Sequence, residues 1–262
     1  MQVISSKDNE MIKNIKKLKE KKYRDETNTF IIEGIKLVEE AIQEKAEIRL
    51  IVICEDCIED GTISKSQLYE IAKQECIYVT EKVFSILTDV KTPQGILAVI
   101  EKKNNSVEID ETQEMILALD QIQDPGNLGT ILRTVDSANL KQIIIDKNGA
   151  DPYSPKVVRS TMGAIFRIKI IQVENLKQKL QELQKKGYEI IATSLDTSKD
   201  IYQISYQKQV IVIGNEANGV SKEIQQLANQ KVKIPMLGKT ESLNASVAAG
   251  IIIYEYVRRK IK

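Results

Sequence analysis

The sequence predicts an α/β fold in which most strands pair in parallel. Short apolar runs alternate with segments of helical spacing along the chain, and this alternation is typical of βαβ units. A polar stretch with few apolar residues, at 101–114, divides the pattern into two halves. A length of 262 residues is sufficient for two modest domains, each with its own core. We therefore expect a first domain at 1–100, a linker at 101–114 and a second domain at 115–262.

The first half contains three apolar runs, each of which is predicted to be a buried strand. A charged segment precedes them and has the spacing of a helix. The predicted order is a helix at 5–22, a strand at 30–34, a helix at 36–44, a strand at 49–54, helices at 63–73 and 82–90, and a strand at 95–100.

The second half repeats the alternation. Gly187 follows an amphipathic segment and favours a helix C-cap there. Small residues at the start of the last segment predict a helix that packs closely, either within the chain or against another subunit. The predicted strands are 115–120, 142–146, 188–195, 209–216 and a short edge-like strand at 231–236, with helices at 175–187 and 244–260.

Composition excludes several classes of function. The net charge of +1, with 42% hydrophobic and 29% charged residues, is typical of a soluble globular protein. Because the chain has no histidine, Ser-His-Asp and zinc-hydrolase mechanisms are excluded. No apolar run reaches the roughly 20 residues that span a bilayer, and the N-terminus lacks the apolar core of a signal peptide. We expect a cytoplasmic protein that does not contact a membrane.

Basic residues are concentrated near both ends of the chain. Residues 1–24 carry eight Lys or Arg against three acidic residues, and a second basic cluster lies at 258–262. Such patches attract phosphate backbones, although a solvated helix face gives the same pattern. The candidate RNA-contact residues are Lys16, Lys17, Lys21, Lys22, Arg24 and Arg159.

Cys54 and Cys57 form a Cys-x-x-Cys, a spacing that also occurs in redox and zinc sites. A zinc site would need a second cysteine pair or histidines, which the sequence lacks, and Cys54 ends an apolar run. We expect reduced thiols and no metal site here.

A turn follows the first strand of the second half, at the strand end where α/β sheets bind ligands. Asp124-Pro125-Gly126-Asn127 has the composition of a turn, and Asn127 is placed to cap the following helix. Arg133 lies six residues further, within that helix. Two interpretations are open at this point, a capped turn with a surface arginine and a functional site.

Two further polar stretches also follow predicted strands. In the first, Gly214 would let the backbone approach a flat ligand beside the Glu216 carboxylate, although a simple strand-to-helix turn capped by Ser221 has the same sequence. In the second, Ser242 and Asn244 belong to a cluster denser than one helix cap needs. The glycine fingerprint G-x-G-x-x-G is absent, which disfavours a nucleotide-dependent enzyme of Rossmann type.

These stretches, in this order and spacing, resemble the SpoU (TrmH-like) family of RNA 2′-O-ribose methyltransferases in the SPOUT superfamily. The family patterns are P-x-N-x-G with a following Arg, G-x-E-x-x-G, and I-P-M with S-L-N-x-S-x-A. The matching residues are Pro125, Asn127, Gly129 and Arg133, then Gly214, Glu216 and Gly219, then Ile234, Pro235, Met236, Ser242, Leu243, Asn244, Ser246 and Ala248. The resemblance covers roughly 115–262, and the first half is similar to the family's small RNA-binding domain, which is L30e-like in fold.

The resemblance implies a SPOUT α/β domain with a parallel sheet and a trefoil knot that holds S-adenosylmethionine. It also implies a homodimer that forms through this domain and acts on structured RNA, 23S rRNA rather than tRNA. Glu216 would orient Arg133 or the substrate. A tRNA 2′-O-methyltransferase and a non-catalytic RNA-binding protein on the same scaffold are the alternatives. The implied catalytic residues are Arg133, Asn127, Glu216, Ser242 and Asn244, and the implied cofactor-binding residues are Gly214, Ile234, Leu243, Asn244 and Thr193.

Overall fold

The computed structural model divides the chain into two compact units. One unit comprises residues 1–104 together with 153–166, and the other comprises 105–152 together with 167–262. The described residues are 3–59, 61–64, 69–103 and 108–261. Residues 65–68 of the predicted helix at 63–73, and residues 104–107 of the predicted linker, lie outside them.

Within the described residues, strands and helices alternate along the chain. The strands are β1 Val3–Ile4, β2 Thr29–Glu33, β3 Ile48–Cys54, β4 Cys76–Val79, β5 Ile96–Glu101, β6 Met115–Leu119, β7 Gln142–Asp146, β8 Lys169–Val173, β9 Glu189–Thr193, β10 Gln209–Ile213 and β11 Gln230–Val232. The helices are α1 Glu10–Lys17, α2 Lys21–Thr27, α3 Ile35–Gln43, α4 Asp56–Glu59, α5 Glu81–Leu87, α6 Pro125–Ser137, α7 Pro155–Thr161, α8 Leu176–Lys185, α9 Lys222–Leu227 and α10 Ala245–Lys260.

The sheet of the first unit is mixed, with strand order β1-β4-β3-β5-β2. Strand β4 runs parallel to β1 and β3, whereas β5 runs antiparallel to β2 and β3. The expectation of mostly parallel pairing is therefore wrong for this sheet. Strand β5 is buried from Ile96 to Ile100, so it has the continuous apolar run that usually indicates a parallel strand.

The predicted helix at 5–22 is two helices, α1 and α2, separated by a break at 18–20. Arg24 stabilises the break, because its Nη1 donates to the carbonyl oxygens of Leu18 at 2.8 Å and Lys19 at 2.7 Å. These carbonyls lie at the end of α1, where a helix leaves its last acceptors unpaired. Arg24 is only 3% exposed, so the expectation that it contacts RNA is wrong.

The helix α7 belongs to the first unit, although the sequence assigned residues 153–166 to the second domain. It packs against strand β2 and buries Val157 and Val158. Its amphipathic pattern predicts a buried face but carries no information on which sheet covers that face.

The second unit is built on a six-stranded sheet of order β11-β9-β10-β6-β7-β8, and every pair in it is parallel. The α/β class and the parallel sheet are thereby confirmed for this unit. Its central strands are buried on both faces; Leu117 and Ile211, for example, are 0% exposed. Among the helices of the described residues, none combines the length and apolar character that a membrane span requires.

Candidate functional site at the carboxyl edge of the parallel sheet

The two central strands β6 and β10 end side by side, with Leu119 paired to Ile213. Asp120, the next residue after β6, is only 3% exposed, and its Oδ2 accepts from the backbone N–H of Ser221 at 2.7 Å. Ser221 stands at the N-cap of α9, but its side chain makes no capping hydrogen bond. Asn215 also links the two strand ends, because its Nδ2 donates to the carbonyl of Gln121 at 2.9 Å. The loops after β6 and β10 are thus held together.

Three motif residues that lie far apart in sequence form one hydrogen-bonded chain at this edge. Asn127 Nδ2 donates to Glu216 Oε1 at 2.9 Å, and Asn244 Nδ2 donates to Asn127 Oδ1 at 2.9 Å. Asn127 is 8% exposed, which fixes its amide between the two partners. We call Asn127, Glu216 and Asn244 the polar triad. It links the start of α6, the loop after β10 and the start of α10.

Asp124, and not Asn127, caps α6. The Asp124 carboxylate accepts from the backbone N–H of Asn127 at 2.8 Å, and Pro125 occupies the first turn. The expected capping role of Asn127 is therefore wrong. With its backbone N–H held by Asp124, the Asn127 side chain is available for Glu216 and Asn244.

The Glu216 carboxylate is stabilised in its charged form. Burial alone would raise the pKa of Glu216, but hydrogen bonds from the Asn127 amide and from the backbone N–H groups of Gln123 and Asp124 outweigh it and lower that pKa. Asn127 thus orients a carboxylate that is ionised at neutral pH. Among the described residues Glu216 does not contact Arg133, so the expected orientation of Arg133 by Glu216 is not found here.

Asn244 has a second contact that holds α10 in place. It is the N-cap of this helix, and its Oδ1 accepts from the backbone N–H of Ser246 at 2.9 Å and from that of Val247 at 3.3 Å. Its amide nitrogen remains for Asn127. The Asn244 side chain therefore both caps the helix and completes the polar triad.

Arg133 lies on an exposed part of α6, the helix whose first turn carries Asn127. Within the described part of the chain its guanidinium forms no hydrogen bond and no ion pair. This free and exposed guanidinium is available for an anionic ligand, although Arg133 is not among the residues that line the cleft at the sheet edge.

Gly214 is required by the loop itself. A Cβ at this position would lie 2.0 Å from the carbonyl carbon of Gly219, because the loop returns through the bridge between Asn215 and Gly219. The chain's own backbone therefore lies too close to Gly214 for any side chain at this position.

A cleft of about 470 Å³ opens at the same edge. This volume lies within the roughly 300–1,000 Å³ of small-molecule sites. Among the implied cofactor residues, Thr193, Gly214, Ile234 and Leu243 line it, whereas Asn244 does not. Of the implied catalytic residues, Glu216 and Ser242 line it.

The sequence analysis missed lining residues that come from the loops after β9 and β11. They are Ser194, Leu195, Asp196 and Lys233. Their signal was the position after a buried strand of a parallel sheet, where ligands bind. No motif marks them.

The predicted RNA-contact residues differ in accessibility. Lys16, Lys17, Lys21 and Lys22 are exposed on α1 and α2. Arg159 is half-buried in the first unit, where its charge lies near the Glu33 carboxylate. Burial raises the pKa of Glu33, and Thr88 and Arg159 partly oppose that rise.

The three cysteines are free thiols, and Cys54 is buried. A Cβ on Gly95 would lie 2.4 Å from the Cys57 Sγ, so the backbone at 95 packs directly on the Cys-x-x-Cys. Within the described ranges no three His, Cys, Asp or Glu side chains are grouped to hold a metal ion.

Two family models match the chain. Residues 114–254 match the SpoU rRNA Methylase family, and residues 9–98 match the MRM3-like substrate binding domain.

Curated relatives align with about two thirds or nearly all of the chain. The 23S rRNA (guanosine(2553)-2′-O)-methyltransferase RlmP of Bacillus subtilis is 35% identical over 255 residues, which is 97% of this chain and 98% of that protein. The 23S rRNA (guanosine-2′-O-)-methyltransferase RlmB of Vibrio vulnificus is 33% identical over 176 residues, which is 64% of this chain and 71% of that protein.

Solved structures share the architecture. The AdoMet-bound rRNA methyltransferase from Sinorhizobium meliloti superposes with a TM-score of 0.86 at 33% identity, covering 100% of this chain and 98% of that one. The A. aeolicus TrmH/SpoU tRNA modifying enzyme superposes with a TM-score of 0.52 at 34% identity, covering 56% of this chain and 76% of that one.

Proposed function

The chain belongs to the SpoU rRNA methylase family, and on that premise we propose that it methylates a ribose 2′-hydroxyl of 23S rRNA with S-adenosylmethionine. The observation that carries the proposal is the polar triad, which joins one residue from each of the three family motifs in a single hydrogen-bonded chain. This arrangement ties the motifs together beside a cleft of suitable size for the cofactor.

The cleft fits the cofactor chemically as well as in size. Val220, Val232, Ile234, Met236 and Leu243 give the cleft an apolar lining suited to an adenosyl group, and Thr193 and Ser242 offer hydroxyl groups to the polar parts of the molecule. Gly214 would hold the adenosyl group through its backbone. When bound, S-adenosylmethionine supplies a methyl group on a sulfonium, which is an activated electrophile.

The protein's task is then to align a ribose hydroxyl with that methyl group and to help the hydroxyl lose its proton. An arginine side chain keeps its proton at neutral pH, so Arg133 acts by orienting the hydroxyl and the adjacent phosphate and by stabilising the developing alkoxide. The Glu216 carboxylate, held ionised by Asn127 and two backbone N–H groups, would add a fixed negative charge to the lining of the cleft. Ser242 and Asn244 complete the polar shell.

The RNA is bound by the first unit together with the basic residues of α1 and α2. Exposed Lys16, Lys17, Lys21 and Lys22 are suited to contact the phosphate backbone of a structured RNA. The choice of 23S rRNA rests on the names of the RlmP and RlmB relatives. The second candidate substrate is tRNA, because the similar A. aeolicus enzyme is a tRNA modifying enzyme.

The working form is a homodimer of knotted catalytic domains in the cytoplasm. Support for the dimer comes from α10, on which Val247 and Tyr254 are 49% and 50% exposed, with the partly buried Ile251 between them on the same face. Support for the knot comes from the loops after β9, β10 and β11, which converge on one cleft with the start of α10.

The test is methyl transfer from tritiated S-adenosylmethionine to unmodified 23S rRNA and to unmodified tRNA. We expect label in 23S rRNA at a linkage that resists alkaline cleavage, because 2′-O-methylation removes the attacking hydroxyl. The mapped nucleotide is then compared with the guanosine in the RlmP name. Label in tRNA alone would assign the other substrate, and no label in either RNA would favour a non-catalytic RNA-binding protein.

A further inference from the structure

Two carboxylates line the cleft among the described residues, Glu216 and Asp196, and they differ in their partners. Glu216 accepts from the Asn127 amide and from two backbone N–H groups. The Asp196 carboxylate is exposed and accepts no hydrogen bond from any described residue. The Glu216 oxygens therefore already accept hydrogen bonds from the protein, whereas both oxygens of Asp196 remain available to a ligand.

The position of Asp196 follows from the order of the strands. It lies three residues after β9, and β9 lies between β11 and β10 in the sheet. Val232 at the end of β11 pairs with Thr193 at the end of β9, and both line the cleft. In the polar triad, Glu216 follows β10 and Asn127 follows β6, which lies on the other side of β10 from β9. Asp196 therefore stands at the β9 and β11 end of the cleft, away from the reacting groups.

This end of the cleft carries apolar lining from one short stretch. Val232, Ile234 and Met236 follow one another along β11 and the loop after it, and all three line the cleft. The adenine ring is the largest apolar part of the proposed cofactor, so it is best accommodated here. The sulfonium must face the polar triad, and the ribose, which joins adenine to sulfonium, then passes Asp196.

We propose that Asp196 binds the 2′- and 3′-hydroxyl groups of the cofactor ribose. This inference rests on the proposed function, because it assumes an S-adenosyl ligand in the cleft. A vicinal diol presents two O–H donors, and a carboxylate has two oxygens that accept them. A carboxylate holds a ribose hydroxyl in the same way at the nucleotide sites of other α/β sheets. Nothing in the three family motifs includes Asp196.

The test is calorimetric binding to the full-length protein with three ligands and no RNA. The ligands are S-adenosylhomocysteine, its 2′,3′-dideoxy analogue, and 5′-methylthioadenosine, which keeps the ribose but lacks the amino acid. Asp196→Ala is expected to weaken binding of S-adenosylhomocysteine about tenfold, as for loss of hydrogen bonds to a charged group. The same loss is expected with 5′-methylthioadenosine, and none with the dideoxy analogue. Asp196→Asn keeps the shape of the side chain and is expected to show a smaller loss.

The control is Glu241→Ala, since Glu241 is exposed, carries the same charge and does not line the cleft. It is expected to bind all three ligands like the wild type. Equal affinity of Asp196→Ala and wild type for S-adenosylhomocysteine would overturn the inference. A loss of affinity that persists with the dideoxy analogue would also overturn it. A loss that vanishes with 5′-methylthioadenosine would overturn it as well, because Asp196 would then bind the amino group of the ligand. If the wild type binds none of the ligands, the proposed function fails instead.

Discussion

Asn127 is the residue on which the geometry of the site depends most. Its amide donates to Glu216 and accepts from Asn244, and its side chain is buried. Asn127→Ala is expected to lower the free energy of unfolding by about 1–3 kcal/mol, because both partners lose a hydrogen bond in a partly buried place. Chemical denaturation measures this loss.

The matched control for Asn127 is Asn218→Ala. Asn218 is exposed, and its side chain makes no hydrogen bond within the described residues. We expect the free energy of unfolding of this variant to lie within about 0.5 kcal/mol of the wild-type value. Equal stability of Asn127→Ala and Asn218→Ala would show that the polar triad does not hold the three motifs together.

The sequence predicted which residues belong to the site better than it predicted what each one does. Asn127, Glu216 and Asn244 were expected at the site and lie together. The cap of α6 was assigned to Asn127 although Asp124 makes it, because both residue types cap helices and the choice depends on where the first turn begins. Asp196 was missed because a single exposed Asp after a strand has no pattern.

At the scale of elements, the turn after β10 is expected to tolerate no side chain at Gly214. A Cβ there would meet the Gly219 backbone at 2.0 Å, whereas a Cβ at Gly238 would meet nothing within 4 Å. Gly214→Ala is expected to lower the free energy of unfolding by about 1–3 kcal/mol through overpacking. Thermal denaturation of both variants measures this, and an equal effect of Gly238→Ala would contradict the explanation.

The last helix is tied to the chain by Arg259, and a buried carboxylate of the same helix holds this arginine in place. Glu255 is 6% exposed and bonds to Arg258 and Arg259, and Arg259 also donates to the carbonyl of Ile204 at 2.7 Å. The hydrogen bond from Arg258, joined by that from Arg259 against the opposing effect of burial, lowers the pKa of Glu255 to about 2. The folded state therefore holds this carboxylate ionised well below its usual titration range.

Because the pKa of Glu255 is lower in the folded chain than the roughly 4.3 of an unfolded glutamate, its contribution to stability is complete above that value and is lost as the pH falls toward 2. Glu255→Gln is expected to lower the free energy of unfolding by about 2 kcal/mol at neutral pH. This difference from wild type is expected to shrink as the pH falls from about 4.3 to 2. Urea denaturation at several pH values measures it. A difference in free energy of unfolding that stays constant across this range would show that Glu255 is not held ionised by its partners. The control variant Glu241→Gln is expected to unfold like the wild type at every pH.

Elements of the parallel sheet were predictable because each strand is a short apolar run between helical segments, as at Met115–Leu119 and Gln209–Ile213. The direction of strand pairing in the first unit was not predictable, because a buried antiparallel strand such as β5 has the same apolar pattern as a parallel one. The break between α1 and α2 was also missed, because the buried Arg24 that stabilises it has the same appearance in sequence as a surface arginine.

At the scale of the whole molecule, the proposed dimer through α10 makes a prediction about mass. Val247→Asp places a charge on the exposed apolar face of this helix, where Val247 is 49% exposed and a charge costs little in a monomer. Wild type is expected to sediment at twice the chain mass of 29.6 kDa, and Val247→Asp as a monomer. A wild type that sediments at the mass of one chain would contradict the dimer.

In the proposed methyl transfer to ribose, Arg133 acts on the RNA hydroxyl and not on the cofactor. The most direct measurement is single-turnover methyl transfer to 23S rRNA by wild type and Arg133→Ala, with the affinity of each for S-adenosylhomocysteine measured in parallel. The expected result is a rate at least about 100-fold lower for Arg133→Ala, as for loss of a group that stabilises transition-state charge, with affinity within about twofold of wild type. An Arg133→Ala variant that still methylates 23S rRNA at the wild-type rate would contradict the claim.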